Sequence, residues 1–449
     1  MNRPHPIDGH QNSRPPSSEG GERNHDSRLR KFDELEHFMT RISILLFALA
    51  VLAGCGRPST DGIHKAQAYP PGTFGYDLEN LRAHHEDLVL LGDSLGAQVV
   101  IAPAYQGRVM TSTAGGNGGR SNGWINHTLI ASGILQPHMN AFGGEERFWL
   151  GPEGGQFGLY FPPGSAFNFD QWQVPSMLDT EPFKTVSKNT REAVFERDAE
   201  LVNHSGTRFG VHIRRTVRML DRAVVAKLLG ITLPEILPMV AFETENILTN
   251  TGTNAWKKET GLLSVWILSM LNASPTGLVG IPYVRGEEKT LGPVVTDDYF
   301  GKVPSDRLVV TDSLILFRAD AGFRSKIGLS PTRATDRMFA YDPVTGEITI
   351  ALYSTPDPGA GYVNSKWEKQ SHPYAGDAVN AYNDGPNDTG TRMGNFYELE
   401  SSSPAAALNP GDSIKHIHRT IHLGAGPAQA GKMLRAIFGV SPTHLEQLK

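Results

Sequence analysis

Short apolar runs separated by turn residues dominate the chain after residue 73. Most runs are rich in Val, Ile, Phe and Tyr and are bounded by Gly, Pro, Asn or Asp, a pattern that predicts strands joined by turns. The clearest examples are Gln98–Ala102, Phe157–Phe161, Val240–Leu248, Leu308–Phe317, Glu347–Tyr353 and Phe396–Glu400. Many short strands of this kind predict an all-β sandwich or barrel, and at this length a large one.

Helical patterns are few. The segment Asp221–Leu229 begins with a capping Asp and ends before Gly230, which predicts one short helix. Phe74–Leu91 and Ala428–Phe438 are two further candidates. Because no internal repeat and no second linker interrupt residues 73–449, we expect them to form a single domain.

The N-terminal region carries the pattern of a bacterial secretion signal. Met39-Thr-Arg41 is followed by an apolar run over residues 42–53 and then by Gly54-Cys55. A basic start, an apolar stretch too short to span a bilayer and small residues before a cut site are typical of a signal peptide. The Leu-Ala-Gly-Cys ending resembles the lipobox, which implies a signal over residues 39–54 and lipidation of Cys55. The alternative is a buried structural cysteine after a short core helix.

Polar segments flank this signal. Residues 1–38 contain little that could form a core, so we interpret them as a disordered extension and Met39 as the start of translation. Residues 55–72 are rich in Pro, Gly and Ser, which predicts a flexible tether. Gly56 is not the Asp that tends to retain lipoproteins on the inner membrane. We therefore expect a lipid anchor in the outer membrane of a Gram-negative cell envelope.

Composition narrows the class of protein. The chain has 449 residues, of which 39% are apolar and 8% aromatic, enough to bury a core. Its mean hydropathy of -0.29 is too polar for a multi-span membrane protein. A net charge of -5 lacks the basic excess of nucleic-acid binders, so no nucleic-acid partner is expected. A single cysteine excludes an intrachain disulfide.

Two stretches, residues 140–155 and 362–385, combine aromatic, amide and charged side chains. Aromatic faces stack on the C–H faces of sugars, while amides and charged groups hydrogen-bond to hydroxyls, so the stretches predict a carbohydrate cleft. The alternative is ordinary turn chemistry with the Trp side chains in the core. The candidate substrate-binding residues, including one on an early strand, are Arg108, Arg147, Trp149, Glu153, Asn364, Trp367, Glu368, Tyr382, Asn383 and Asp384.

Motifs spread over residues 95–425 resemble the galactose mutarotase-like (aldose 1-epimerase) superfamily, in a bacterial lipoprotein branch. In chain order they are Gly107-Arg108-Val109, Gly143-Gly144 with Trp149, Asn250-Thr251-Gly252, and Phe396-Tyr-Glu-Leu-Glu400 followed by Pro410-Gly411-Asp412-Ser413. The resemblance implies an all-β fold with a few short helices, a large antiparallel β-supersandwich with a sugar-binding face. It also implies that Glu400 is the general base.

This sequence departs from the superfamily pattern at both histidine positions. Phe142 stands where one histidine precedes the Gly-Gly pair, and residues 261–270 contain no histidine where the family has its general acid. Simple mutarotation therefore does not follow from the resemblance, because a fold hosts many chemistries.

The late strand carries two acidic residues that can act together. Glu398 and Glu400 are two positions apart, so on a strand they share a face. Two close carboxylates repel each other, which raises the pKa of one and leaves an acid beside a base. The alternative is a solvated strand face with two surface acids.

A histidine pattern follows after the Pro-Gly turn. His416, His418 and His422 alternate along one strand face together with Thr420. Alternating histidines can bind a divalent metal such as zinc, or one of them could supply the missing general acid. The alternative is an exposed polar face, and no cofactor other than this metal is expected. We expect this strand to pair with the Glu398/Glu400 strand.

Basic residues complete the candidate list. Arg324 and Lys326 alternate on another strand, and we interpret them as surface charge. Two functions remain open. The first is an envelope lipoprotein that acts on carbohydrate as an epimerase, lyase or hydrolase, with Glu400 as base and a histidine or Tyr382 as acid. The second is a glycan-binding surface lipoprotein without catalysis.

Overall fold

Three antiparallel sheets of three, six and ten strands build the fold. The computed structural model describes residues 69–387, 389–440 and 442–445. The predicted extension over 1–38, the signal over 39–54, Cys55 and most of the 55–72 tether lie outside the described residues.

Nineteen strands occur in the described part of the chain. They are β1 (Val89–Gly92), β2 (Gln98–Ala102), β3 (Arg108–Thr113), β4 (Arg147–Gly151), β5 (Lys184–Lys188), β6 (Glu192–Val202), β7 (Arg208–Met219), β8 (Met239–Asn250), β9 (Ser264–Leu268), β10 (Leu271–Asn272), β11 (Leu278–Pro282), β12 (Leu308–Val310), β13 (Leu314–Arg318), β14 (Ser325–Leu329), β15 (Arg337–Tyr341), β16 (Glu347–Tyr353), β17 (Val379–Asn383), β18 (Phe396–Ser402) and β19 (Ser413–Gly424).

The strand order places sequence-distant strands side by side. The small sheet has the order β1-β2-β3. The six-stranded sheet has the order β14-β17-β18-β9-β4, with β10 also paired to β18. The ten-stranded sheet has the order β12-β13-β11-β15-β16-β19-β8-β7-β6-β5.

Helices are short and few. They are α1 (Phe74–His84), α2 (His127–Ser132), α3 (Ser176–Asp179), α4 (Arg222–Leu229), α5 (Glu288–Leu291), α6 (Pro427–Phe438) and α7 (Pro442–Leu445). Together with the antiparallel sheets, they confirm the predicted all-β class with a few short helices. No helix within the described ranges is long and apolar enough to cross a membrane.

Most predicted elements are present, with corrections. The predicted helix at α4 has Asp221 as its N-cap residue and Gly230 as its left-handed C-cap. The helix predicted over Phe74–Leu91 ends at His84, because His85 is extended and β1 begins soon after it.

Two predicted strands need larger corrections. The run Leu308–Phe317 is divided into β12 and β13 by a turn. The run Phe157–Phe161 is not a strand but a folded loop, in which Gly158 N donates to Gly155 O and Leu159 N donates to Pro152 O. Leu159, Tyr160 and Phe161 are buried in the core, so the run has the apolar composition of a buried strand.

The main core lies between the six- and ten-stranded sheets. On β18, Tyr397 and Leu399 point into this core and contact apolar residues of both sheets. Because side chains alternate along a strand, Glu398 and Glu400 point to the opposite, outer face of the six-stranded sheet. Helices α4 and α6 cover the other face of the ten-stranded sheet.

The histidine strand does not pair with the glutamate strand as expected. β19 pairs with β8 and β16 in the ten-stranded sheet, with His416 opposite Asn246. The connection over residues 403–412 crosses from one sheet to the other and is too long for a tight hairpin. The Pro-Gly turn is therefore part of a crossover between sheets.

A buried guanidinium joins all three sheets. Arg215 on β7 is fully buried, and its Nη2 donates to Glu146 Oε1 at 2.9 Å, just before β4. Its Nη1 donates to Asn246 Oδ1 at 2.6 Å, and its Nε donates to the Gly107 carbonyl at 3.0 Å, in the turn between β2 and β3. These bonds fix the six-stranded sheet relative to the other two.

Candidate functional site

The outer face of the six-stranded sheet gathers charged and aromatic side chains from five strands. Glu400 lies opposite Asn380 on β17 and Leu268 on β9, and Leu268 in turn lies opposite Arg147 on β4. Two residues before Glu400 on β18, Glu398 lies opposite Tyr382. The antiparallel register thus brings residues from distant parts of the sequence onto one surface.

Glu400 is held by two donors on one of its oxygens. Lys326 Nζ donates to Oε2 at 2.8 Å, and Trp266 Nε1 donates to the same oxygen at 2.9 Å. Oε1 is buried and has no hydrogen-bond partner in the described part of the chain. The carboxylate therefore has a fixed orientation and one free acceptor.

Glu398 is paired with Arg147 across the same surface. Arg147 Nη2 donates to Glu398 Oε1 at 2.5 Å, and both side chains are almost fully buried. Burial raises the pKa of Glu398 to about 7; Arg147 opposes this shift and nearby Glu400 adds to it. Glu398 can therefore exchange a proton near neutral pH.

Lys326 is an interior cation, which corrects its interpretation as surface charge. Its Nζ lies 4.9 Å from the ring centroid of Trp266 and 5.6 Å from that of Tyr299. Arg324, by contrast, is exposed and lies over the ring of Phe300 at 4.1 Å.

A small cavity of about 30 Å³ borders this cluster. Tyr299 donates its hydroxyl proton to Asp377 Oδ2 at 2.5 Å and accepts from Asn380 Nδ2 at 3.1 Å. Burial raises the pKa of Asp377, and the hydrogen bond from Tyr299 opposes the shift. The lining residues are Gly151, Ser264, Trp266, Tyr299, Lys326, Val363, Asn364, Ser365, Gly376, Asp377, Asn380 and Ser402.

Glu153 connects the two stretches that the sequence predicts to form a cleft. Its Oε1 accepts from Trp172 Nε1 at 2.9 Å and from Trp367 Nε1 at 3.1 Å. Its backbone N–H donates to Ser365 Oγ at 3.1 Å. Burial raises the pKa of Glu153; Lys326 opposes the shift, and the charge of Glu400 adds to it. The glutamate thus lies within electrostatic range of the main cluster.

Several predicted residues belong to this surface. Trp149 is buried, with its ring 5.6 Å from that of Trp266 and under the Arg147 guanidinium at 4.7 Å. Tyr382 donates to Asp384 Oδ1 at 2.8 Å. Asn364 lines the cavity. The structure therefore brings residues 147–153, 364–384 and the Glu398/Glu400 pair together.

Three other predicted residues do not belong to the cluster around Glu398 and Glu400. Arg108 is buried, where its Nη1 donates to the Gly143 carbonyl at 2.8 Å and burial lowers its pKa to about 9. Asn383 accepts from the Ala321 backbone at 2.8 Å and so fixes a neighbouring turn. Glu368 is exposed on the loop before β17.

The histidines lie between the two large sheets, on the core side of β18. Ser401 Oγ lies 2.8 Å from His416 Nε2 and 2.8 Å from His418 Nδ1. Burial lowers the pKa of both histidines to about 3, so both are neutral at pH 7. Because Ser401 has one hydroxyl proton, it can donate to only one of these rings.

His422 has different partners. Its Nε2 lies 2.6 Å from Glu145 Oε1 and its Nδ1 lies 2.9 Å from Thr349 Oγ1. Within residues 69–445 as described, no cluster of three His, Cys, Asp or Glu side chains is arranged to hold a metal ion.

Sequence reasoning missed Trp266, Tyr299 and Asp377 as members of this cluster. Trp266 lies in the 261–270 stretch, which contains no histidine, and Asp377 lies within the predicted 362–385 stretch. Tyr299 comes from a loop with no sequence signal. The combined arrangement offers a fixed carboxylate, a carboxyl that titrates near pH 7 and aromatic faces.

Two of the solved structures that are similar to this chain come from lactobacilli. A galactose mutarotase-like protein from Lactobacillus casei is 10% identical, with a TM-score of 0.43 over 75% of this chain and 99% of that chain. A galactose mutarotase related enzyme from Lactobacillus acidophilus is 10% identical, with a TM-score of 0.42 over 74% of this chain and 97% of that chain.

Comparison of the sequence with known families identifies one whose function is unknown. No curated protein matches the sequence. The model of DUF6786, a family of unknown function, matches residues 72–449, and the chain therefore belongs to that family.

Proposed function

We propose that the outer face of the six-stranded sheet binds carbohydrate and that Glu400 acts there as a general base. The observation that carries the proposal is the free oxygen of Glu400. Oε1 is buried without a donor among the described residues, while Lys326 and Trp266 hold Oε2. An unsatisfied buried acceptor is costly, and a hydroxyl of a bound sugar would satisfy it.

The surroundings of Glu400 suit a sugar. Trp266 and Tyr299 offer aromatic faces, and Asn364 and Asn380 offer amide groups at the same cavity. Aromatic walls with a few fixed polar groups are typical of small-molecule sites. The mixture of carboxylates and one ammonium group also matches a ligand rich in hydroxyls, which both donate and accept hydrogen bonds.

Glu398 and Glu400 form the acid and base of the proposed reaction. Glu400 Oε1 accepts a proton from a sugar hydroxyl or from an acidic ring C–H. Glu398, with its pKa near 7, is protonated in about half of the molecules at pH 7 and can then donate this proton to a leaving or ring oxygen. Arg147 fixes the position of Glu398. Epimerisation, elimination and hydrolysis all use such a pair.

Binding requires one loop to move. The cavity of about 30 Å³ has room for one or two water molecules and not for a sugar ring. The 364–370 segment covers it and is attached to residues 151–158 through reciprocal bonds of 2.9 Å between Gln156 and Gln370. Displacement of this segment would open the face to solvent.

A specific observation favours the alternative of binding without catalysis. Phe142 stands where the superfamily has a histidine, and its ring stacks on Tyr105 at 4.1 Å in the interior. It cannot supply a proton. In this proposal Glu398 takes the acid role.

A glycan panel separates these functions. We expect wild-type protein to bind at least one member of a panel of neutral and acidic mono- and oligosaccharides in calorimetry. Product formation, followed by NMR, would support the enzyme. Binding without product would support the glycan-binding alternative. Absence of binding across the panel, with folded protein, would contradict both.

We also propose that Cys55 carries a lipid that anchors the protein in the outer membrane. The support is the Leu-Ala-Gly-Cys ending after a short apolar run. Labelling with a radioactive or alkyne palmitate should mark the wild type but not Cys55→Ala, which should leave the outer-membrane fraction. Equal labelling of both would contradict the proposal.

A further inference from the structure

Trp172 and Trp367 form an aromatic pair beside the proposed carbohydrate site. Both indole N–H groups donate to the same Glu153 oxygen, at 2.9 and 3.1 Å. Their ring centroids are 5.8 Å apart, and the planes differ by 25°. While the 364–370 segment covers the cavity, the shared Glu153 oxygen orients the two rings relative to each other.

A third aromatic ring, that of Phe169, lies beside Trp172 and is exposed at the surface. The Phe169 ring lies 6.1 Å from that of Trp172 with planes 20° apart, so the planes of both neighbouring rings lie within 25° of the Trp172 plane. Trp172 is 8% exposed, Trp367 is 36% exposed and Phe169 is 59% exposed. Two large aromatic rings therefore face solvent while a third supports them from beneath.

This aromatic group is continuous with the Glu400 cluster. Glu153 holds both indoles, and its backbone bonds Ser365, which lines the cavity together with Lys326. Lys326 in turn binds Glu400 at 2.8 Å. A ligand that extends outward from Glu400 would meet these rings next.

We propose that Phe169, Trp172 and Trp367 form an outer subsite for a second sugar residue, so that the ligand is a glycan of two or more linked sugars. The inference rests on the carbohydrate site proposed above and specifies its substrate class. A free monosaccharide would occupy only the inner part and leave the exposed rings without a partner. A linked sugar would place its C–H face on Trp367 or Phe169.

The test compares ligand length across variants. Calorimetry would measure the Kd of monosaccharides and of their di- to hexasaccharide series for the wild type, Trp367→Ala and Phe169→Ala. The matched control is Ile236→Ala, an exposed apolar residue elsewhere on the surface. We expect oligosaccharides to bind the wild type at least tenfold more tightly than the monosaccharide, and each aromatic variant to lose about tenfold for oligosaccharides only.

The outcomes separate this inference from the proposed function. If both aromatic variants bind every length like the wild type, while Glu400→Gln alters binding or turnover, the outer subsite is wrong and the carbohydrate site stands. If the aromatic variants weaken monosaccharides and oligosaccharides equally, the rings belong to the inner site, and the inference also fails. If wild type binds no glycan of any length, both proposals fail together.

Discussion

Lys326 reaches across an intervening strand to hold Glu400, with Nζ 2.8 Å from Oε2. Lys326 lies on β14 and Glu400 on β18, and β17 separates the two strands in the sheet. The side chain of the glutamate is 1% exposed and that of the lysine 13%. An ion pair buried to this degree depends strongly on both partners, because either charge alone is poorly solvated.

Removal of the lysine charge should therefore destabilise the fold. We expect Lys326→Met to lower the free energy of unfolding by about 3 kcal/mol, since it leaves a buried carboxylate without its cation. The double variant Lys326→Met/Glu400→Gln should recover at least about 1 kcal/mol relative to the sum of the single changes. Urea denaturation at pH 7 measures all three.

The control for this comparison of single and double variants is an exposed lysine. Lys302 is 77% exposed and bonds Asp297 at 2.7 Å, so Lys302→Met should cost less than about 1 kcal/mol. Strictly additive effects of the Lys326 and Glu400 changes would contradict a direct pair.

Glu398 should titrate near neutral pH. Burial raises its pKa to about 7, so the carboxyl is protonated below that pH and charged above it. Carbon-13 NMR of labelled glutamate should show one titration near pH 7 that disappears in Glu398→Gln and persists in Glu235→Gln. If Glu398 is the acid, turnover should fall as pH rises through about 7. A titration of Glu398 near pH 4 would refute this assignment.

The buried histidines should make the protein sensitive to acid. Their pKa of about 3 lies below the unfolded value of about 6.5, so between these limits the unfolded chain binds more protons than the folded one. Stability is then fully present above pH 6.5 and lost as pH falls towards 3. Each histidine contributes about 1.4 kcal/mol per pH unit at most.

Urea midpoints at pH 7 and pH 5 test this dependence. The loss of stability between the two pH values should be smaller in the double variant His416→Gln/His418→Gln than in the wild type. The exposed control His84→Gln should behave like the wild type. The same pH dependence in wild type and double variant would show that other groups govern acid unfolding.

The sequence predicts local structure well where side-chain alternation decides it. β2 and β16 have the predicted bounds, and the two-residue spacing of Glu398 and Glu400 correctly places them on one face. The prediction of a strand over Phe157–Phe161 is wrong, because a loop that packs into the core has the same composition as a strand. Apolar content reports burial and not the hydrogen-bond pattern.

Local sequence patterns do not predict which strands pair when those strands are distant in the sequence. The histidine strand β19 follows β18 in sequence but joins the other sheet, because a connection of this length allows a crossover. For the same reason Lys326 and Trp266 could not be assigned to Glu400 from the sequence. Each becomes a partner only through the order of strands in the folded sheet.

The measurement that tests the central claim most directly compares Glu400→Gln with Glu235→Gln on the glycan that the panel identifies. Glutamine keeps the shape and reach of the side chain but cannot accept the substrate proton, so kcat should fall by roughly a hundredfold or more while Kd changes little. Glu235, exposed in a loop near α4, should be replaceable without effect on either constant. Undiminished kcat in folded Glu400→Gln would contradict the role of Glu400 as the base.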